Sequence, residues 1–253
     1  MQSSPAEAPA AIDSATGSLG ERDGALVVTQ AHEAPGVRRL TVAPGRAWPF
    51  RPGQVAELSI GPGKEGYFAI ASAPAEGSHL AFLIKAEGSD SEPLMHLQPG
   101  ARLTLRGPFG AGFELPSGTR DLLFVAAGTA IAAVRSAIVQ ALSEDGASRL
   151  ALVVGVRRPS ELCCADEIVA WQERGVAVQV CVSGDAPLPT STSLTFARGR
   201  VQSHLDEHAR ATTYAFIAGS EELEDEVTAK LVELGVSFER IQRNYRPDAR
   251  VNR

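Results

Sequence analysis

The rhythm of apolar residues changes after Pro108-Phe109-Gly110, and that change constrains the fold more than any other feature. Before it, from Ala25 to about Gly107, short apolar runs are punctuated by glycine and proline: Leu26 to Thr29, Val37 to Val42, Val55 to Ile60, Tyr67 to Ala71, Leu80 to Lys85 and Arg102 to Leu105. Short strands at this spacing predict an antiparallel sandwich or barrel. After it, apolar strands alternate with amphipathic helices. Asp121 to Ala126 precedes a helix from about Ala130 to Leu142 whose face is Ile131, Val134, Ile138 and Leu142, and Leu150 to Val154 follows. A second unit joins a helix over Glu161 to Arg174 to the strand Val176 to Val182, and a third joins Tyr214 to Ala218 to a helix over Glu221 to Leu234. Repeated units of this kind imply a parallel sheet covered on both faces.

A length of 253 residues exceeds the usual single core, and the two rhythms divide it. The expected domains are 24–115 and 116–246, separated where Pro116-Ser117-Gly118 interrupts both patterns. Residues 1–23 hold almost no large apolar side chains and are expected to form a disordered tail, with a second tail at 247–253.

Charge and composition exclude several function classes. A net charge of -6 without Lys/Arg runs opposes nucleic-acid binding, which needs a basic surface to meet phosphate. The three cysteines, Cys163, Cys164 and Cys181, spell neither a disulfide framework nor a metal motif, and are expected to be buried thiols. His204 and His208 share helical spacing but lack the further ligands of a metal site. Without a membrane-length apolar stretch or a signal-peptide pattern, the expected location is cytoplasmic.

The sharpest chemical signal is the strand Asp121 to Ala126 running through Ala127-Gly128-Thr129-Ala130 into a helix. Glycine lets the backbone approach a ligand closely, and the free N–H groups of the helix start favour a phosphate. The junction is not a GxGxxG fingerprint, and ordinary tight turns use glycine too. A second junction, Ala218-Gly219-Ser220, opens a helix whose first turn carries Glu221, Glu222, Glu224 and Asp225. Those acids would repel a phosphate, so this end suits an uncharged ring; simple N-capping by Ser220 accounts for them equally well. Arg157 and Arg158 follow the strand Leu150 to Val154, where an adenosine ribose or its 2'-phosphate would lie, although adjacent arginines are more often a solvated pair. Residues 186–200 read as an irregular excursion, either solvated or lying over a nucleotide pocket.

Taken in order, Arg51-Pro52-Gly53-Gln54, Tyr67-Phe68-Ala69-Ile70-Ala71-Ser72-Ala73-Pro74, Gly88-Ser89-Asp90-Ser91, Gly107-Pro108-Phe109-Gly110, Gly128-Thr129-Ala130-Ile131-Ala132 and Ala218-Gly219-Ser220 resemble the ferredoxin-NADP reductase family from residue 25 to about 245. The resemblance implies a six-stranded antiparallel flavin-binding barrel followed by a Rossmann-like parallel-sheet domain, with the flavin between them and NAD(P)H stacking on it. By the same resemblance Tyr67 and Phe68 to Ser72 would line the ring, Gly88 and Ser91 would meet the flavin phosphates, and Gly128 to Ala130 would cradle the nicotinamide nucleotide. The chain departs from the family at several of these positions. Gly66, Phe68 and Ala69 stand where the family usually has the arginine, tyrosine and serine of Arg-x-Tyr-Ser, and Ala218 stands in place of a cysteine facing the nicotinamide. A lost charge-assisted hydrogen bond weakens flavin binding by about 1.5 to 3 kcal/mol. The replacement resembles a divergent branch that includes plant fruit proteins.

The expected function is therefore NAD(P)H-dependent flavin oxidoreduction, with FAD, or FMN in its place, and an unidentified acceptor that is a protein or a small molecule. The alternative is a non-catalytic regulatory or electron-transfer subunit with the same fold, motivated by Gly66, Ala69 and Ala218 and by Ala133, which stands where the family's Gly-Thr-Gly-Ile-Ala-Pro has its proline. No catalytic side chain is singled out, because the cofactor carries the chemistry. In Val182-Ser183-Gly184-Asp185 the acid would repel a 2'-phosphate, so NADH is expected over NADPH.

Overall fold

A computed structural model of the protein describes residues 23–62, 64–85, 92–118, 120–144, 149–190 and 192–244. The two expected tails fall outside these residues, except that Asp23 opens the first strand, and so do Gly88 and Ser91.

The first half is an antiparallel sheet of β1 (Asp23–Ala34), β2 (Val37–Pro44), β3 (Val55–Ser59), β4 (Glu65–Ala69), β5 (Leu80–Lys85) and β6 (Arg102–Phe109), in the order β4-β3-β6-β1-β2-β5. Its two edge strands meet just beyond β4, where Ile70 bridges Phe82 and the Ala71 N–H donates to Ala81 O at 2.7 Å. That contact draws the two edges together at one end and curls the sheet into a partly closed barrel. Alternation fills it: Leu40 and Val42 of β2 and Leu80, Phe82 and Ile84 of β5 point inward with Leu58, Ile70 and Leu105. β1 runs five residues beyond the expected Thr29, because its polar Gln30 and His32 still pair with β2 across two register shifts. β6 likewise continues past Leu105 to Phe109.

The second half is a six-stranded parallel sheet of β7 (Asp121–Ala127), β8 (Arg149–Val156), β9 (Ala177–Val182), β10 (Phe196–Arg198), β11 (Tyr214–Ala218) and β12 (Ile241–Arg243), in the order β10-β9-β8-β7-β11-β12. Helices α1 (Ile131–Ser143), α2 (Ala165–Glu173) and α3 (Glu221–Glu233) provide the crossovers. The strand order reverses at β7, which places a topological switch point between its neighbours β8 and β11. One face of the sheet packs on α1, α2 and the outer side of the barrel, with Ile131, Val134 and Ile138 against Phe124 and Val154. Phe113, in the connection between the two halves, meets Phe216 edge-on at 5.4 Å, and Phe216 stacks on Phe124 at 5.2 Å.

Two expectations are corrected. The helix expected from Glu161 begins only at Ala165, because Pro159–Glu161 forms a 3-10 turn and Cys164 takes φ 59°, a left-handed conformation that cannot continue a helix. Residues 186–200 are not wholly irregular, since Phe196–Arg198 pairs with β9 as the edge strand β10. β10 and β12 are three residues each, too short to show a period in sequence.

Candidate functional site

At the switch point the carboxyl ends of the parallel strands open into a cavity of about 390 Å³. Its walls come from the end of β7 (Ala127 and Gly128), the end of β8 (Gly155 to Arg157), Cys181 and Ser183 at the end of β9, and the segment Gly199 to Gln202. Ser220, Glu222, Leu223 and Glu226 close it from α3. Gly128 has φ +55°, and a Cβ there would meet nothing within 4 Å, so glycine serves the backbone conformation while the space above it stays open to a ligand. Ser220 caps α3 by accepting the Leu223 N–H at 3.2 Å, the capping reading of that junction.

The sequence-predicted nucleotide residues divide. Gly128, Arg157 and Ser220 line the cavity; Thr129 and Ala130 are half-buried beside it. Ala218 is fully buried and Gly219 half-buried. Arg158 is not among the lining residues and pairs with Glu161 at 3.5 Å. Arg200, which the sequence reading missed, does line the cavity, and its guanidinium stands 3.5 Å from Glu222 and 3.6 Å from Glu226. The lining thus carries three cations, Lys85, Arg157 and Arg200, against three acids, Glu161, Glu222 and Glu226. Cys181 is buried at the cavity edge, and burial pushes its thiol up to about 12, so it stays a neutral, unreactive group at pH 7.

The predicted ring-lining segment also divides. Tyr67 is 44% exposed and donates its hydroxyl to Glu57 Oε2 at 3.0 Å, with its ring edge-on to Phe109. Phe68 and Ala69 are half-buried. Ile70 points into the barrel core, Ala71 is buried in the core shared with the second domain, and the Ser72 hydroxyl accepts the Ala81 N–H at 3.1 Å. The Phe68 ring lies over Gly66 so closely that a Cβ there would stand 2.8 Å from it.

Comparison with known proteins decides the family. Residues 124–229 match the Oxidoreductase NAD-binding domain. Ferredoxin--NADP reductase B of Sorangium cellulosum is 33% identical over 184 residues, which cover 69% of this chain and 73% of that protein. The chain belongs to the ferredoxin-NADP reductase family. Similarity to solved structures gives the same two-domain fold: a cytochrome P450 reductase of Amycolatopsis has a TM-score of 0.79 at 20% identity, covering 88% of this chain and 69% of that one. A ferredoxin NADP+ reductase of Neisseria gonorrhoeae, solved with bound FAD and NADP, has a TM-score of 0.70 at 18% identity, covering 90% and 100%. The chain spans only 38% and 52% of two further relatives, reductase components of phenol and alkene monooxygenase systems.

Among the described residues, no helix is long and apolar enough to cross a membrane. No group of three or more His, Cys, Asp and Glu among them is placed to hold a metal ion. The three free thiols are all buried, as expected.

Proposed function

We propose that this reductase-family chain is an NAD(P)H-dependent flavin oxidoreductase that passes electrons to a separate acceptor. The observation that carries the reading is the position of Lys85. It is the last residue of β5, it leads directly into the segment holding Gly88 and Ser91, and it lines the same cavity as Gly128 and Ser220. The barrel end expected to meet flavin phosphates therefore abuts the sheet end expected to hold the nicotinamide nucleotide. Phe68 and Ala69 fit a flat ring, offering an aromatic face and a methyl group on β4. They do not supply phosphate charge, because the Phe68 ring fills the space in which a side chain at position 66 would start. The residues present therefore fit a flavin held by ring contacts and backbone more than by a side-chain cation.

The chemistry a bound flavin supplies is acceptance of hydride from the nicotinamide and release of its electrons, together or singly. The chain's own part is to bind and orient. Gly128 to Ala130 admit the nucleotide, and Ser220 and the apolar Leu223 face its uncharged end. FAD is favoured over FMN by the family, and NADH over NADPH by the paired state of Arg200 and Arg158 and by Asp185 at the end of β9. The acceptor is of the ferredoxin or oxygenase-component type that the relatives' names describe. Three unpaired cysteines support a reducing, cytoplasmic setting. A non-catalytic subunit is not favoured, since the relatives are reductases and the nucleotide cavity is open.

Fluorescence titration with FAD and FMN, followed by anaerobic reduction with NADH, tests the reading. Saturable FAD binding and bleaching of the visible flavin bands are expected; absence of binding by either flavin at tens of micromolar would overturn it.

A further inference from the structure

Two consecutive residues of α1 reach out of the nucleotide domain to consecutive carbonyls of the barrel. Arg135 Nη1 donates to Ala71 O at 2.7 Å and Ser136 Oγ donates to Ser72 O at 2.7 Å, both on the segment that leaves β4 just beyond Ala69. Arg135 has a side chain only 6% exposed. Its other donors go to Glu76 at 2.7 and 2.9 Å and to Glu167. Glu76 in turn accepts the Ala73 N–H at 2.7 Å, and Glu167 accepts from Arg39 of β2 at 2.6 Å. Arg39 also grips Glu33, whose Oε1 accepts the Cys164 N–H across the interface at 2.5 Å. Every donor of the buried guanidinium is therefore aimed at a group that belongs to, or is tied to, the opposite domain.

A stability role alone does not account for this arrangement. Ion pairs removed from water gain little over well-packed apolar residues, because desolvation offsets their attraction. What a guanidinium adds is a planar fork of donors with fixed directions. α1 begins immediately after Ala130, so Arg135 lies little more than one helical turn, roughly 6 to 8 Å along the axis, from the Gly128 to Ala130 loop. One rigid turn thus holds the nucleotide loop at one end and the ring-lining segment of the barrel at the other.

We infer that Arg135, seconded by Ser136, is a positioning residue for hydride transfer: it fixes the separation between the Gly128 to Ala130 loop and the Phe68 to Ala71 segment, and so between nicotinamide and flavin. The inference rests on the oxidoreductase reading above. A misplacement of about 1 Å between reacting groups costs on the order of a hundredfold in rate, whereas nucleotide affinity rests on a cavity whose lining, Lys85 apart, belongs to the second domain.

The test uses the full chain with Arg135→Lys, Arg135→Met and Ser136→Ala. Spin labels on Gln98→Cys in the barrel and Glu173→Cys in the nucleotide domain, both exposed positions in a protein whose native thiols are buried, report domain spacing without cofactors. Stopped-flow mixing of the FAD-loaded protein with NADH then separates the dissociation constant from the limiting reduction rate. A narrow distance distribution in the wild type should broaden in both Arg135 variants. The limiting rate should fall at least tenfold with the dissociation constant within twofold, and Ser136→Ala, which keeps the ion cluster, should show a smaller fall of the same kind. An unchanged distance distribution in Arg135→Met, an unchanged rate in all three, or a rate loss matched by a loss of NADH affinity would overturn the inference alone. A wild type that binds FAD but is not reduced by either nucleotide would instead sink the oxidoreductase reading, and this inference with it.

Discussion

On the function proposed above, Gly128 and Arg200 are the single residues of the cavity lining whose substitution should most change what it accepts. At Gly128 the φ of +55° and the open space beyond the Cα mean that a side chain meets no wall but must adopt a strained backbone, at about 1 to 2 kcal/mol. Gly128→Asp adds to this a negative charge where, on the function proposed above, a pyrophosphate would approach. NADH affinity measured by titration should fall below detection while FAD stays bound; an unchanged affinity would remove this loop from the site. Arg200 is held by Glu222 and Glu226, all three exposed by 40% or more, so each pair contributes about 1 kcal/mol at most. Glu222→Gln/Glu226→Gln should free the guanidinium to meet a 2'-phosphate. The ratio of flavin reduction by NADPH to that by NADH should rise about three- to tenfold, and Arg200→Ala added to the pair should abolish the gain. If the ratio is instead moved by Arg157→Ala/Arg158→Ala, the phosphate lies on the β8 side of the cavity.

Elements were legible where a period or a capping residue had room to show itself. β5 and β11 start and stop where the sequence places them, and α3 ends one residue early, because alternation and the Ser220 cap are local signals. Ser220→Ala should accordingly lower stability by about 1 kcal/mol, measured by urea unfolding, since one orphan N–H at the helix start loses its acceptor. No loss would mean that solvent replaces the cap completely. β10, β12 and the late start of α2 were not legible, because three-residue strands and a left-handed Cys164 are decided by neighbours distant in sequence. The site was legible in part for the same reason. The turn at Gly128 is a local feature, whereas Arg200 reaches the cavity only once the sheet has brought Gly199 to Gln202 beside β8. Arg135 did carry a signal: it is the one charge in Ile131 to Leu142, a helix otherwise apolar or small on nearly every face, and a cation there needs buried partners. Those partners, at positions 71, 76 and 167, lie 32 to 64 residues away and leave no mark on the helix itself.

At the scale of the whole molecule, the two domains share one electrostatic cluster, and its titration ties their docking to pH. Although burial raises the Glu167 pKa, hydrogen bonds from Arg135 and Arg39 outweigh it and hold the carboxyl down to about 2, against 4.5 unperturbed. Glu76 is also lowered, with burial opposed by Arg135 and by the Ala73 N–H. Both arginines are held above their ordinary values, so they stay charged throughout. A carboxyl with a depressed folded pKa contributes stability that is fully present above its unfolded value and is lost as pH falls through the folded one. For Glu167 that window runs from about 4.5 down to about 2. Its side chain is 29% exposed, so solvent screening trims the contribution to about 1 to 3 kcal/mol. Stability from urea unfolding should therefore be insensitive to this cluster between pH 6 and 8 and decline below pH 4.5. Glu167→Gln should be less stable than the wild type by about 1 to 3 kcal/mol at pH 7, and the gap should narrow as pH falls below 4.5 and close only near 2, because acid removes from the wild type the charge that the mutation has already removed. Parallel stability curves across that range would mean that Glu167 is not ionised against the two arginines in the folded protein, and the electrostatic account of the interface would fail.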